Sequence, residues 1–310
     1  MESKNYDGLA PIVLFVYNRP LHTRRTVQAL LKNGLASESE LFIYSDAPRD
    51  ADSVDSVREV REYVNSISQF KRTEIIERRE NWGLANSIMD GVTSVIERYG
   101  KVIVLEDDIL TSPYFLEYMN NALNYYKKEK RVWHVSGWNY PIETDGLGEA
   151  FVWRVMNCWG WATWADRWEY FERDASSLCM KFSDKQKFDF DLCGTRVFWP
   201  QVEENLKGKI DTWAIFWYAT IFKGGGLCLN PAVSFTENIG LDGSGVHCKL
   251  EHKKHAGELA FRSIASFPGL IEENGLAVER VKMFYRKQRK NVPVRALNKI
   301  FRIMFGRSLL

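Results

Sequence analysis

The first 110 residues alternate short apolar runs with helix-like patterns, and this alternation constrains the fold more than any other feature. It is the pattern of a parallel sheet whose strands are joined by crossover helices. Pro11 to Tyr17 (PIVLFVY) reads as a strand buried on both faces, broken by Asn18-Arg19-Pro20. A helix follows with Val27, Leu30 and Leu31 on its apolar face, ending near Gly34. Leu41 to Ser45 is a second strand, Val54, Val57, Val60 and Val64 recur at near-helical spacing, and Thr73 to Glu77 is a third strand. Asn81 to Leu84 turns into another helix, and Lys101 to Leu105 (KVIVL) is a fourth strand running straight into Glu106-Asp107-Asp108. Every loop that follows a strand then lies on one edge of the sheet, where ligands of such sheets bind. The candidate binding loops are therefore Asn18-Arg19, Ser45-Asp46, Asn81 to Leu84 and Glu106 to Asp108.

The rest of the chain is less regular. A helix is expected over about Ser112 to Glu129 and a strand over Val132 to Ser136, followed by an aromatic stretch holding seven of the eleven tryptophans. Buried tryptophan is first of all a large core filler, although an exposed ring can stack on a sugar; about two of the seven are expected to touch substrate. At 310 residues and 45% apolar the chain can bury a large core, and a net charge of +2 argues against a nucleic-acid binder. Five cysteines without a C-x-x-C pair argue against both a disulfide framework and a zinc site. No apolar run approaches a membrane span of about 18 to 20 residues, so a cytoplasmic protein is expected, at most peripheral on the inner face of the membrane.

Three adjacent carboxylates at a strand end repel one another, and hard oxygen ligands of this kind suit Mg²⁺ or Mn²⁺. The plainer alternative is a solvated acidic turn opening the next helix. The longer context favours the metal. The stretch VIVLEDDILTSPYFLEYMNNALNYYKKEKRVWHVSGWN resembles the corresponding segment of the N-acetylglucosaminyltransferase I family and related bacterial sugar transferases. NCWGWATWADRWEYF, DTW and LCLNPAVSFTENIGLDGSGVH continue the resemblance in order, over about residues 11 to 250.

The resemblance implies an α/β chain with the GT-A (Rossmann-like) fold, a mostly parallel sheet flanked by helices. It implies a donor-binding half over residues 1–130 and an acceptor and catalytic half of the same domain over 131–270; charge and spacing add a basic amphipathic tail over 271–310. It implies an inverting, divalent-metal-dependent transfer of a sugar from a nucleotide-sugar, with UDP as default, to a saccharide or lipid-linked saccharide in cell-surface polysaccharide synthesis. Carried over by position, Asp108 becomes the ligand of Mn²⁺ or Mg²⁺ and Asp211 of DTW the general base. Tyr17, Asn18, Arg19, Asp46, Asn81, Gly83, Leu84, Glu106, Asp107 and His247 become donor-binding residues. Trp138, Trp159, Trp161 and Trp213 fall on the acceptor side, and Asn238 to His247 becomes a loop closing over the donor. Two other readings stay open: a sugar-phosphate nucleotidyltransferase, which FVYNRP disfavours by lacking a glycine-rich loop, and a non-catalytic carbohydrate-binding protein.

Ten Lys or Arg against one acidic residue fall between Leu276 and Leu310. Leu297, Ile300, Phe301 and Met304 form a stripe at helical spacing, opposite Arg295, Asn298, Lys299 and Arg302. Such a helix lies in an anionic membrane surface or packs on protein, and the pattern fits both equally.

Overall fold

The computed structural model describes residues 8–242 and 259–288. In chain order the first half comprises β1 (Ile12–Val16), α1 (Pro20–Leu30), β2 (Glu40–Ser45), α2 (Val54–Asn65), β3 (Arg72–Glu77), α3 (Gly83–Tyr99) and β4 (Lys101–Glu106). There follow β5 (Ile109–Thr111), α4 (Phe115–Tyr125), β6 (Val132–Ser136), β7 (Ala150–Trp153) and β8 (Trp161–Trp164). Helices α5 (Ala165–Trp168), α6 (Ala175–Lys181), α7 (Asp184–Phe190), α8 (Trp199–Leu206) and α9 (Ala214–Lys223) precede β9 (Leu227–Pro231) and β10 (Thr236–Asn238). The last described helix is α10 (Gly275–Gln288).

Eight strands form one sheet in the order β3-β2-β1-β4-β8-β6-β9-β7. β1 to β4 are mutually parallel, β8 runs against β4 and β6, β9 is parallel to β6, and β7 closes the far edge antiparallel to β9. The sheet is thus α/β and mostly parallel with helices on both faces, as the alternation required. The central strands are apolar throughout because both faces are covered. Successive side chains point to opposite faces. Val13, Phe15, Val102 and Val104 meet Ile88 and Val92 of α3 on one side. Ile12, Leu14, Ile103 and Leu105 meet Val27 of α1 and Leu116 and Met119 of α4 on the other.

The register determines where the site is. Phe15 sits opposite Glu106, Val16 opposite Ser45, and Ser45 opposite Glu77, so β1, β2, β3 and β4 end level with one another. Their outgoing loops are neighbours as a direct result. Sequence reasoning placed the helix after the acidic triplet at about 112–129; α4 is shorter at both ends, and ahead of it Ile109–Thr111 pairs with β10 as a separate two-stranded ribbon. That pairing aligns Ile109 with Asn238 and brings the next residues of the late chain against Asp108.

The described part of the expected tail, from residue 271, includes one helix. α10 buries Ala277, Val278 and Val281 in the core. The stripe from Leu297 to Met304 lies outside the described residues. Among the described residues no helix is long and apolar enough to cross a membrane.

Candidate active site

Glu106 ends the central strand and Asp107 and Asp108 follow it, so three consecutive residues place their carboxyls at one strand end, the two aspartates buried. Burial drives the Glu106 carboxyl well above its ordinary value, helped by Asp108 and Asp107. Burial and then Asp108 push Asp107 up to about 7, against the opposing pull of Arg19 and of the Tyr17 backbone N–H. Arg19 leaves the neighbouring strand end and donates from Nη1 to Asp108 Oδ2 at 2.9 Å, with Asp107 Oδ1 3.8 Å away. Burial opposes the charge on Arg19, but the two aspartates outweigh it and hold the guanidinium above its ordinary value.

One arginine against three acids leaves negative charge uncompensated. Asp108 Oδ1 is buried and has no hydrogen-bond partner among the described residues. A buried carboxylate oxygen without a donor is costly, and a bound cation is one of the few groups that relieves it. Among the described residues no three His, Cys, Asp or Glu side chains form a metal cage. None is needed for Mg²⁺-like ions, which commonly take one or two carboxylates and complete their shell with substrate phosphates and water. The residues present therefore fit a cation shared with a diphosphate and do not fit a resident, fully protein-ligated ion.

The other sequence-selected donor residues are placed around this edge but with their polar groups already engaged. Asp46 accepts the backbone N–H groups of Ala47 and Trp82 on Oδ1 and that of Gly83 on Oδ2, each at 2.9 Å. Its carboxylate thus closes the start of α3, where orphan N–H groups need an acceptor. Asn81 donates to the carbonyl of Ala47 at 2.7 Å, and the Tyr17 hydroxyl accepts the N–H of Arg49. Gly83 has φ of +72°, which only glycine adopts freely, and Leu84 beside it is exposed. Asn18 is half-buried on the β1 loop. Trp82, not selected from sequence, is partly exposed and lies over the Arg78 guanidinium at 3.8 Å. His247 lies outside the described residues, as does most of the loop to which it belongs.

Asp211 stands on the loop before α9, with its side chain 68% exposed and ion-paired to Arg173. Arg173 also donates to the Thr212 carbonyl and reaches Asn86 on the first turns of α3 at 3.4 Å. Since α3 begins at the carboxyl ends of the strands, this arginine ties Asp211 to the same edge as the acidic triplet. Nothing in the local sequence around Arg173 marks it as that tether.

The four acceptor-side tryptophans separate. Trp161 and Trp213 are core residues: both are buried, their rings stack at 5.1 Å, and Trp161 also stacks on His134. Neither has a face open to a ligand, because both rings are buried, Trp161 on the interior strand β8 and Trp213 against it. Trp138 and Trp159 instead meet edge to face at 4.5 Å and line a cavity of about 350 Å³ together with Asn157, Tyr218, Leu241 and Tyr285. Cys158 joins the same wall, and burial together with Glu106 and Asp108 raises its thiol, so the cavity adjoins the carboxylates. A larger cavity of about 750 Å³, lined by Glu97, Gly100, Lys128 and Trp164 among others, opens at the amino end of β4, across the sheet from this chemistry.

The geometry can be set beside known proteins. The sequence model of the GNT-I family matches residues 1–150. The chain resembles the GNT-I family. That span contains Arg19, Asp46 and the acidic triplet but ends before Asp211. No curated protein matches the chain in sequence. Among solved structures, the mannosyltransferase PcManGT from Pyrobaculum calidifontis, in complex with GDP-Man and Mn²⁺, is 12% identical, covering 53% of this chain and 47% of its own, with a TM-score of 0.36. S. aureus TarS 1-349 in complex with UDP-GlcNAc is 13% identical, covering 41% of this chain and 33% of its own, with a TM-score of 0.30. The chain thus spans less than half the length of either, and those ligands are facts about those proteins.

Proposed function

We propose that the protein is an inverting glycosyltransferase that uses a divalent cation, binding a nucleotide-sugar over the carboxyl edge of β1 to β4 and a saccharide acceptor in the aromatic cavity beside it. The observation that carries the reading is the under-compensated Glu106-Asp107-Asp108 cluster, within a span that resembles the GNT-I family.

In this reading Asp108 holds Mn²⁺ or Mg²⁺, and bound there the ion supplies Lewis-acid neutralisation of the departing nucleoside diphosphate. Arg19 offers its planar fork to the phosphates. Asp46 and Asn81 hold the loop that presents Trp82 and Gly83, so they position the donor surface through backbone contacts. Asp211 takes the proton of the acceptor hydroxyl as it attacks the anomeric carbon, and its exposure leaves it open to an incoming acceptor. Trp138 and Trp159 shape the acceptor cavity, whose volume lies at the small end of the roughly 300–1,000 Å³ typical of ligand sites. A single sugar residue is the expected occupant, and UDP is the default nucleotide.

A panel of nucleotide-sugars with Mn²⁺ and saccharide acceptors, read by nucleoside diphosphate release and by the anomeric configuration of the product, tests the reading. Acceptor-dependent release with inversion supports it. Retention overturns the assigned mechanism, and synthesis of a nucleotide-sugar from a sugar phosphate would establish the nucleotidyltransferase alternative. Cytoplasmic placement and attachment of the tail to an anionic membrane belong to the same proposal. Anionic vesicle co-sedimentation with and without residues 292–310 tests the attachment.

A further inference from the structure

The acidic cluster is covered by the chain itself. Ile239 donates its backbone N–H to the Asp108 carbonyl at 2.9 Å, and Asn238 Oδ1 accepts the N–H of Gly240 at 2.7 Å. A Cβ built on Gly240 would lie 2.0 Å from Asp108 Oδ2 and 2.7 Å from Arg19 Nη2. Only a residue without a side chain can lie so directly on the Arg19–Asp108 pair. Leu241 then lines the aromatic cavity, and Asp242 meets His22 of α1 at 3.1 Å. The path to Asp108 is thus closed on one side by Arg19 and on another by residues 239–242.

We infer that Arg19 is a switching residue: its guanidinium sits on Asp108 Oδ2, where it competes with a cation for that carboxylate, and it is released to the donor diphosphate when cation and nucleotide enter together. The inference rests on the metal-dependent reading above and adds an order of events to it. A guanidinium at 2.9 Å from a carboxylate oxygen opposes the entry of a second positive charge at the same group. Only a ligand bearing new negative charge draws Arg19 away, so Arg19 adds to the positive coupling that ligation of the ion by the diphosphate already supplies. Gly240 completes the device, because the strap can rest on the pair only while residue 240 carries no Cβ. The competing arrangement is that Arg19 orients Asp108 for the ion without leaving it, which predicts the opposite response to removing the charge.

The test is Mn²⁺ titration of the full chain, read by the electron paramagnetic resonance signal of free Mn²⁺, with and without UDP. Wild type is expected to bind Mn²⁺ about tenfold or more tightly with UDP than without it. R19M is expected to bind Mn²⁺ without UDP about tenfold more tightly than wild type, so that the further gain on adding UDP is smaller than in wild type. R19K keeps the charge and is expected to stay near wild type without UDP, which separates loss of charge from disturbed folding. Melting curves of both variants provide the second check. If R19M binds Mn²⁺ no better than wild type without UDP, the switch is wrong, and coupled binding in the wild type still leaves the metal-dependent reading standing. If wild type binds no Mn²⁺ with any nucleotide tried, both readings fall.

Discussion

The two halves of the sheet treat buried polar groups in opposite ways. At the carboxyl edge of β1 to β4, charge is crowded and poorly met: Glu106 and Asp107 are forced upward, and Asp108 Oδ1 has no donor among the described residues. In the aromatic half most buried polar atoms are matched. Trp153 donates to Asn230, Trp164 to the Leu123 carbonyl, Trp168 to Thr93 and Trp217 to His134, while Asn157 Nδ2, Trp161 Nε1, Arg167 Nε and Ser177 Oγ are exceptions. Unmet polar groups of the first kind reduce stability and persist where a ligand completes them. The first region is therefore organised for binding, and most of the second for holding its neighbour in place.

If that contrast is right, Asp108→Ala separates activity from stability. Turnover with Mn²⁺ should fall about 10³-fold or more, since the lost metal stabilisation is worth several kcal/mol. Removing one of three crowded carboxylates should leave the melting temperature nearly unchanged. A large loss of Tm would make the triplet a structural element. The reverse is expected in the aromatic half. Trp161→Ala empties a fully buried site and should cost about 3–5 kcal/mol of stability. Trp159→Ala, on the cavity wall, should cost much less stability and raise the acceptor KM. Equal destabilisation by both variants would erase the distinction between core and wall.

That distinction was not legible in the sequence, although the site edge was. Loops follow strands in chain order, so Arg19, Asp46 and the acidic triplet could be placed on one edge from local patterns alone, and the sheet does place them there. Whether Trp161 or Trp159 faces a ligand depends on β8 inserting between β4 and β6, a pairing between distant segments that no local period encodes. The engagement of Asp46 with the start of α3 was hidden for the same reason, since its partners lie thirty-six and thirty-seven positions away. The short strand Ile109–Thr111 was not legible locally because its partner strand arrives more than a hundred residues later.

Asp211 tests the boundary between the regions, since it lies past the family-matched span and is tied to the donor edge through Arg173. Asp211→Asn should keep donor affinity within a few-fold and lower kcat roughly 10²-fold, as for loss of a general base. Stopped-flow nucleotide binding alongside steady-state kinetics distinguishes this from a positioning role, in which donor affinity would fall with kcat.

The smallest expected effect probes how tightly the aromatic half is matched. His134 is fully enclosed between Trp161 and Trp217; Trp217 Nε1 donates to Nδ1, and Nε2 faces the Asn157 carbonyl at 3.0 Å. Nδ1 must therefore be neutral and accepting, with the proton on Nε2. Burial drives its pKa down from 6.5 to about 3, the Asn157 carbonyl opposing only in part. The sign follows from linkage: between those two values the unfolded chain takes up a proton that the folded chain refuses, so this contribution to stability is present above about pH 6.5 and is lost as pH falls. Each pH unit in that window removes about 1.4 kcal/mol, or about 2 kcal/mol by pH 5. The raised carboxylates act in the opposite sense, their folded forms favouring protonation, so the pH dependence of the wild type alone mixes the two regions. His134→Gln isolates the histidine. The stability advantage of wild type over the variant, measured by denaturant unfolding, should shrink by about 2 kcal/mol between pH 7 and pH 5. A constant difference across that range would mean that His134 is protonated in the folded chain, and that the Trp217 hydrogen bond runs to a different acceptor.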